Sequence, residues 1–466
     1  MMLRIPFLLF ALLLLPLISF CAKEAPTTEF SFHPSAPLIG EPITVHVNGL
    51  NPSEKIQITA RLKDELGRIW QSNAFFEADK KGNLDLSKAA AVSGTYSGID
   101  PMGLFWSMQL DPLEKQRSSY WHVSLAPIEV IFKGKRANGP LISGKIIRKI
   151  SAEGVHKLEI HDHGIVANLF LPAKNEKHPA IIVLGGSEGG IPNDAYVAQF
   201  ANQGYVALGL AYYKAAGLPS HFSNIPLEYF RNGIDWLKTR PEVDSSRLAI
   251  VGSSTGGIAA LLCASQYPDL RAVISIIGGP ILFQSIDTSS LDKASPQSNF
   301  TISGRALPFV PIISPDFTVE NLNTAYYLRV FLGSLFASSD DLVQQATIPV
   351  EKTNGPILLI GACNDRLLGS SYLNAKAYSR LTEKKFPFPY SAINYEGTGH
   401  TLGAAGLPGT PTTINSEIID PYGVGYEYGG NPKDTARAQT DSWKQVFSFL
   451  KEYLPESKNS GGKKSQ

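Results

Sequence analysis

Gly252-Ser253-Ser254-Thr255-Gly256 is the stretch of sequence that decides the fold. It follows the apolar run Arg247-Leu248-Ala249-Ile250-Val251 and precedes Gly257-Ile258-Ala259-Ala260-Leu261-Leu262-Cys263-Ala264. That order predicts a buried strand, a sharp glycine-rich turn and a helix of small residues, the setting in which G-x-S-x-G presents a serine as a nucleophile. The same pattern also arises by chance in a chain rich in Gly and Ser, so the interpretation of Ser254 as a nucleophile depends on the surrounding segments.

Alternating strands and helices surround this motif. The predicted strands are continuous apolar runs, as expected where a sheet is covered on both faces: Ala180–Leu184, Tyr205–Leu210, Leu248–Val251, Ala272–Ile277 and Pro356–Ile360. The predicted helices are Asp194–Gln203 and Pro226–Thr239, the latter with Pro226 near its first turn. This pattern indicates an α/β class with a doubly wound, largely parallel sheet, which we assign to a catalytic domain over residues 146–455.

Residues 27–140 have a different hydrophobic pattern, which predicts an all-β domain. Short alternating runs separated by turn residues are typical of an immunoglobulin-like sandwich, and they occur at Ile43–Val47, Ile56–Leu62, His122–Leu125 and Ile128–Phe132. The polar stretch Lys133–Pro140 is interpreted as a linker between the two domains.

The N-terminus predicts export. Arg4 precedes an almost wholly apolar run from Ile5 to Phe20, which is typical of a secretory signal and short for a membrane span. Two outcomes stay open: cleavage near Cys21, or acylation of Cys21 as a bacterial lipoprotein, for which Phe20 is a poor fit. The protein is thus expected in the periplasm, on the outer surface or secreted. The tail Glu456–Gln466 is expected to be disordered.

The order of residues in an α/β-hydrolase sheet is Ser, acid, His, which gives a strict test of the motif. Beyond Ser254 the sequence contains one histidine, His400, in a glycine-rich loop after an apolar run. Asp365 directly follows the predicted strand Pro356–Ile360 and its extension to Asn364. The competing interpretations are that His400 is a solvated loop histidine and that Asp365 is a surface carboxylate. The sequence therefore predicts Ser254 as nucleophile, His400 as general base and Asp365 as the acid that orients it.

The oxyanion of such a reaction needs two backbone donors. One is expected to be the N–H of Thr255, at the start of the helix after the serine. The other is expected from the loop Gly185–Gly190, with the N–H of Ser187 preferred and that of Glu188 as the fallback. A glycine-rich loop also suits phosphate, but this one lacks the G-K-[ST] ending of a P-loop.

Composition sets limits on other functions. A formal net charge of +1 and 43% apolar residues give no support for nucleic-acid binding and allow a large core. His161 and His163 are expected on one face of a strand, but no third metal ligand is spaced nearby, so neither a metal nor a cofactor is predicted. Cys263 and Cys363 are expected to be reduced core residues.

Several strings resemble the acyl-CoA thioesterase / bile acid-CoA:amino acid N-acyltransferase family. In the first half these are Ala74–Asp79, Gly94–Gly98 and Pro101–Ser107; in the second they are Leu210–Tyr213, Ile225–Phe230, Gly252–Gly257, Gly355–Ile360 and Gly399-His400. The resemblance implies the same triad, Ser254, Asp365 and His400, and no cofactor. It also implies hydrolysis, since conjugating members carry cysteine where this chain has Ser254. Residues 281–345, with Pro308, Pro311 and Pro315, have no close match and are interpreted as a lid over an acyl pocket.

Three functional hypotheses result. The first is a serine hydrolase that cleaves acyl thioesters such as acyl-CoA. The second is an exported carboxylesterase, amidase or acyl transferase with another substrate, because coenzyme A thioesters are mainly cytoplasmic. The third is a non-catalytic surface module whose sandwich binds a partner. Chain length, acceptor and oligomeric state are not predicted.

Overall fold

The structure is a computed structural model that describes residues 27–114, 119–137, 139–285, 296–312, 327–402, 407–412, 418–419 and 425–455. The predicted signal, Cys21, Pro315 and the tail from 456 lie outside these ranges. The strands before residue 150 are β1 (Glu29–His33), β2 (Thr44–Asn48), β3 (Lys55–Lys63), β4 (Ile69–Glu77), β5 (Leu84–Asp85), β6 (Ser93–Gly94), β7 (Gln109–Leu110), β8 (Ile128–Arg136) and β9 (Ile142–Arg148). The short helix α1 (Gly103–Trp106) lies among them.

The later strands are β10 (His156–Ile160), β11 (Val166–Leu171), β12 (His178–Leu184), β13 (Val206–Ala211), β14 (Ile225–Pro226), β15 (Val243–Ser253), β16 (Leu270–Ile276), β17 (Phe300–Ile302), β18 (Arg305–Ala306), β19 (Ile357–Ala362), β20 (Tyr390–Tyr395), β21 (Ile418–Ile419) and β22 (Gly425–Tyr426). The later helices are α2 (Asp194–Asn202), α3 (Leu227–Lys238), α4 (Thr255–Gln266), α5 (Tyr327–Ala337), α6 (Asp340–Ala346), α7 (Ser370–Glu383) and α8 (Pro432–Tyr453), with a 3₁₀ turn at Val350–Lys352.

The central sheet confirms the predicted α/β class. Among the described residues it contains eight strands in the order β10-β11-β13-β12-β15-β16-β19-β20. From β13 to β20 neighbouring strands are parallel, whereas β10, β11 and β13 pair antiparallel. Every residue of β12, β13 and β19 is buried because helices cover both faces. The carboxyl ends of the parallel strands therefore meet at one edge of the sheet, where ligands bind in this class of fold.

The first part of the chain is an antiparallel β-sandwich, as predicted. Strands β1, β2 and β5 form one sheet, and β6, β4, β3, β8 and β9 form the other, with β7 at the side of β4. Alternate residues of β3, such as Ile56, Ile58 and Ala60, are buried between the sheets, which is the period-2 pattern of a half-covered strand. The predicted domain limits themselves stay a prediction.

Four expectations from sequence are wrong in detail. Lys133–Pro140 is not a linker: its first residues end β8, which pairs with β9. His122–Leu125 is not a strand, because Val123 and Ser124 donate their N–H groups to the Glu65 carboxylate instead. His161 and His163 follow the end of β10 in a turn, with a positive φ at His163. Cys263 is buried as expected, but Cys363 is exposed. In the described ranges, no helix is both long and apolar enough to span a bilayer.

Candidate active site

Ser254 lies in a strained turn between β15 and α4. Its backbone has φ +56° and ψ −124°, a conformation that residues with a side chain rarely adopt. The turn is sharp enough that a Cβ on Gly252 would overlap the carbonyl of Gly256, and a Cβ on Gly256 would overlap the carbonyl of Gly185. The two flanking glycines are therefore required by close backbone approach, and the turn leaves Ser254 beyond the carboxyl end of the central strand.

Gly256→Ala is expected to abolish folding or reduce the yield of folded protein severely, because the added methyl group meets backbone that cannot move without displacing β12. Gly333→Ala is the matched control. Gly333 is exposed in α5, where a Cβ would meet no atom of the described residues within 4 Å, so helix propensity predicts a gain of up to about 1 kcal/mol. Thermal unfolding of both variants checks this. Equal melting temperatures for the two would contradict the close approach.

Ser254, His400 and Asp365 form a hydrogen-bonded series. His400 Nε2 lies 2.8 Å from Ser254 Oγ, and His400 Nδ1 lies 2.9 Å from Asp365 Oδ2. His400 and Asp365 are 5% and 3% exposed, so water does not compete for these bonds. Ser254 directly follows β15, and Asp365 and His400 lie in the loops that follow β19 and β20. The shared edge of the sheet is how positions far apart in sequence come together.

Asp365 is held as a carboxylate by several donors. Oδ1 accepts the N–H groups of Leu367 and Leu368, and Oδ2 accepts that of Ser370 at the start of α7. Burial alone would raise its pKa, but the charge and hydrogen bond of His400, together with these backbone donors, lower the pKa of Asp365 to about 2. The carboxylate is thus ionised and fixed with one oxygen towards the imidazole.

A pKa below the ordinary value of 3.8 means that ionised Asp365 stabilises the fold. That contribution is fully present above about pH 4 and is lost as the pH falls towards 2. Wild type is therefore expected to lose about 2 kcal/mol more stability than Asp365→Asn between pH 5 and pH 2. Urea unfolding at stepped pH values measures the difference. Parallel stability curves for the two proteins would rule the contribution out.

The loops that carry the acid and the base are tied together by a segment that sequence reasoning missed. Asn364 donates its N–H to Thr398 O at 2.9 Å, and its side-chain oxygen accepts the N–H of Gly397. Tyr428 O accepts the N–H of His400 at 2.8 Å, while Gly429, with φ +74°, packs so closely on Asn364 that a Cβ would overlap its carbonyl. The Gly429-Gly430 pair was the available signal, although nothing in sequence indicated which loops it contacts.

The loop after β12 faces the nucleophile. Tyr213 donates its hydroxyl to Gly186 O at 3.3 Å, and a trans peptide directs the N–H of Ser187 opposite to that carbonyl. Glu188 Oε1 accepts the N–H of Gly186 at 2.8 Å, a role for its side chain that the sequence did not indicate. Among the described residues, neither the N–H of Ser187 nor that of Thr255 has an acceptor. Both therefore remain candidates for the oxyanion donors.

A cavity of about 340 Å³ opens onto Ser254 and His400. Its apolar lining includes Ile258, Leu282, Phe283, Phe300, Phe331 and Leu368, and its polar lining includes Ser187, Lys214, Ser220, His221, Gln284 and Asn299. In the part of the chain that the structure describes, no carboxylate lines this cavity. The described parts of the 281–345 region supply both apolar and polar residues to the cavity wall, and its interpretation as a lid stays a prediction. The site therefore suits an apolar group attached to a carbonyl.

The other acids weighed from sequence lie elsewhere or outside the described residues. Asp269 pairs with Arg231 and Lys238 on the surface of the sheet's helical layer. Asp340 and Asp341 lie in the exposed first turn of α6. Asp316, Asp287 and Asp292 fall in ranges that the structure does not describe.

Two family profiles match the chain. "Acyl-CoA thioester hydrolase/BAAT N-terminal region" matches residues 40–162, and "BAAT / Acyl-CoA thioester hydrolase C terminal" matches residues 225–456. Among curated proteins, the chain is 29% identical to mouse (Mus musculus) bile acid-CoA:amino acid N-acyltransferase, covering 90% of this chain and 96% of that one. It is 27% identical to mouse acyl-coenzyme A thioesterase 6 and to human (Homo sapiens) acyl-coenzyme A thioesterase 1, each covering 89% of this chain and 94% of theirs.

Solved structures are more distant. A puromycin-hydrolyzing peptidase of Mycobacterium tuberculosis has a TM-score of 0.42 at 14% identity, over 86% of this chain and 54% of that one. An esterase of Pyrobaculum calidifontis has a TM-score of 0.40 at 17% identity, over 64% of this chain and 85% of its own length.

Proposed function

Because the chain belongs to the enzyme family of acyl-CoA thioester hydrolases and bile acid-CoA:amino acid N-acyltransferases, we propose that it is a serine-dependent acyl thioester hydrolase. Ser254 is the nucleophile, His400 the general base and Asp365 the group that orients His400. The observation that carries this proposal is the unbroken series of hydrogen bonds from Ser254 Oγ through His400 to Asp365, at the mouth of a largely apolar cavity.

Acylation begins when His400 Nε2 takes the proton of Ser254 Oγ as the oxygen attacks the substrate carbonyl carbon. The carbonyl electron pair moves to oxygen, and the N–H groups of Thr255 and Ser187 stabilise that negative charge. The carbon–sulfur bond then breaks, and the leaving thiolate takes the proton from His400. Asp365 keeps Nδ1 protonated throughout, so that Nε2 is the nitrogen free to accept.

Deacylation repeats these steps with water. His400 removes a proton from water, the hydroxide attacks the acyl-serine carbonyl, and Ser254 leaves and regains the proton. The acyl-Ser254 intermediate is an oxygen ester, and an amine attacks its carbonyl less readily than it would attack a thioester. Water is therefore the proposed acyl acceptor. The products are a carboxylic acid and a free thiol.

The test is release of thiol from long-chain acyl-CoA by the purified protein, followed with a thiol reagent and compared with hydrolysis of p-nitrophenyl esters. Thiol release that disappears in Ser254→Ala supports the proposal. Turnover of p-nitrophenyl esters alone would replace it by the carboxylesterase hypothesis. Failure of a fluorophosphonate probe to label Ser254, together with no turnover, would favour the non-catalytic module.

Export is part of the same proposal and bears on the leaving group. A protein directed out of the cytoplasm by residues 1–21 meets acyl thioesters of thiols other than coenzyme A, or simple esters, more often than it meets acyl-CoA. Cell fractionation, with metabolic labelling by a fatty-acid analogue in wild type and Cys21→Ala, separates secretion from lipid anchoring. Retention of the full-length chain in the cytoplasm would overturn the export proposal.

A further inference from the structure

The β-sandwich holds a short segment that follows the catalytic histidine in the sequence. This segment, residues 407–412, is called the docking segment below. Arg148, the last residue of β9, donates from Nη1 to Gly409 O at 2.6 Å. Thr412 donates its N–H to the carbonyl of Trp106, at the end of α1, at 3.0 Å. The docking segment is therefore hydrogen-bonded to two separate elements of the sandwich.

The docking segment also packs closely on the sandwich. Leu407 is buried in the hydrophobic core that the sandwich strands form. Gly409 has φ +74°, and a Cβ there would lie 2.9 Å from Met102 Cε and 3.2 Å from Arg148 Nη1. Both the left-handed backbone and the close approach require glycine at this position. The position of the segment is thus set by the surface of the sandwich.

Arg148 is a buried cation that uses little of its hydrogen-bonding capacity. It is 1% exposed, and its Nε and Nη2 have no partner among the described residues. Burial lowers the pKa of Arg148 to about 10, so the guanidinium is still charged at neutral pH. The Phe105 ring, 5.3 Å from Cζ, offsets part of the lost hydration. A buried charge of this kind contributes little to stability, which favours a role in placing the docking segment.

Gln439 of α8 connects the docking segment to the loop of His400. Its Nε2 donates to Thr401 O at 2.9 Å, an assignment that follows because a carbonyl oxygen only accepts. Its Oε1 lies 3.4 Å from the Thr412 hydroxyl. The N–H of His400 donates to Tyr428 O at 2.8 Å. The backbone is therefore held on both sides of the His400 side chain, and one of the two contacts leads to the sandwich.

We propose that the sandwich positions the catalytic base through this path, with Gln439 and Arg148 as positioning residues. The inference rests on the proposed function, because it takes His400 as the general base. Neither positioning residue lines the cavity. A displacement of the imidazole by about 1 Å is enough to slow proton transfer from Ser254 strongly, whereas the walls that bind the acyl group are unchanged. The sandwich is then a part of the catalytic apparatus.

Gln439→Met and Arg148→Met keep long side chains but lose the hydrogen bonds. Each is expected to lower kcat by between about tenfold and a hundredfold, with KM near that of wild type, when assayed well below the melting temperature. Arg148→Met is expected to melt at or above the wild-type temperature, because removal of the buried charge offsets the loss of one hydrogen bond. A purely structural role predicts the reverse, a lower melting temperature with wild-type kcat.

The double variant tests whether both residues act through the same segment. Its kcat is expected to be no lower than that of the more affected single variant, since residues on one path have non-additive effects. The proton NMR signal of His400 Nδ1–H, which the bond to Asp365 protects from exchange, gives a readout that needs no turnover. We expect this signal to shift or broaden in both single variants.

Gln199→Met is the matched control. Gln199 is 5% exposed and its Oε1 lies near Gly40 of the sandwich, but its Nε2 donates to Ala195 O within its own helix. Its kcat and NMR signal should equal those of wild type, and a loss as large as that of Gln439→Met would assign the effect to general packing and overturn the inference.

Two further outcomes separate the inference from the proposed function. Wild-type kcat and an unchanged NMR signal in Gln439→Met or in Arg148→Met, with Ser254→Ala inactive, would overturn the inference and leave the proposed function standing. Activity that survives in Ser254→Ala would overturn the proposed function, and the NMR signal would then decide alone whether the sandwich positions His400.

Discussion

Ser254→Ala is expected to lower kcat/KM by at least about a thousandfold while leaving the melting temperature near that of wild type. Only the side-chain oxygen that forms the covalent bond is lost, and removing the nucleophile of such a triad costs about as much as removing the whole triad. The backbone strain at φ +56° is kept by alanine. Steady-state kinetics with the preferred ester or thioester, alongside thermal unfolding, measures both effects.

Ser253→Ala is the control for this variant. Ser253 immediately precedes the nucleophile and is 1% exposed, but its Oγ is buried and has no hydrogen-bond partner among the residues that the structure describes. Its removal should therefore leave kcat unchanged and stability equal or slightly higher. A comparable loss of activity in both variants would mean that the turn, rather than the Ser254 hydroxyl, is responsible. Full activity of Ser254→Ala would remove the proposed mechanism altogether.

Asp365→Asn is expected to lower kcat by about ten-thousandfold, with a smaller effect on KM. The new amide oxygen can still accept from Leu367 and Leu368, so the amide nitrogen is left facing His400 Nδ1. It stabilises the tautomer whose Nε2 carries the proton, and that nitrogen cannot accept from Ser254. Presteady-state acylation rates with a chromogenic ester test whether the loss lies in the first chemical step.

Asp269→Asn provides the comparison, because Asp269 was a candidate acid by its place in the sequence and pairs instead with Arg231 and Lys238. It should affect stability modestly and leave kcat unchanged. If Asp365→Asn retains wild-type kcat, Asp365 does not orient the base and another acceptor for His400 Nδ1 must exist.

The parallel part of the fold was predictable because a strand that is buried on both faces has a recognisable local sequence pattern. Runs such as Ala180–Leu184 are apolar without alternation, and only a strand covered by helices on both sides requires that. The α3 helix was equally clear, since its buried Leu227, Phe230, Ile234 and Leu237 follow the helical repeat. The errors fell in polar segments. Lys133–Pro140 was interpreted as a break because it is polar, although the backbone of its first four residues pairs with β3 in a ladder.

The candidate triad was predictable from chain order alone, for a similar reason. One histidine follows Ser254, and one aspartate directly follows a buried strand between them. The strand order β15-β16-β19-β20 then accounts for the meeting of the three side chains. Their catalytic roles rest on the variants above.

The sequence by itself determined the class of fold, the sandwich that precedes the sheet, and the three residues proposed for the chemistry, because each depends on local hydrophobic pattern or on order along the chain. Only the tertiary structure decided which surfaces close around those residues. Tyr428 and Gly429 contact both the acid loop and the base loop, and Asn299 donates its side-chain N–H to Phe283 O. These contacts join segments that no sequence pattern links. Such contacts depend on distances and directions in the folded chain, and a linear sequence carries neither.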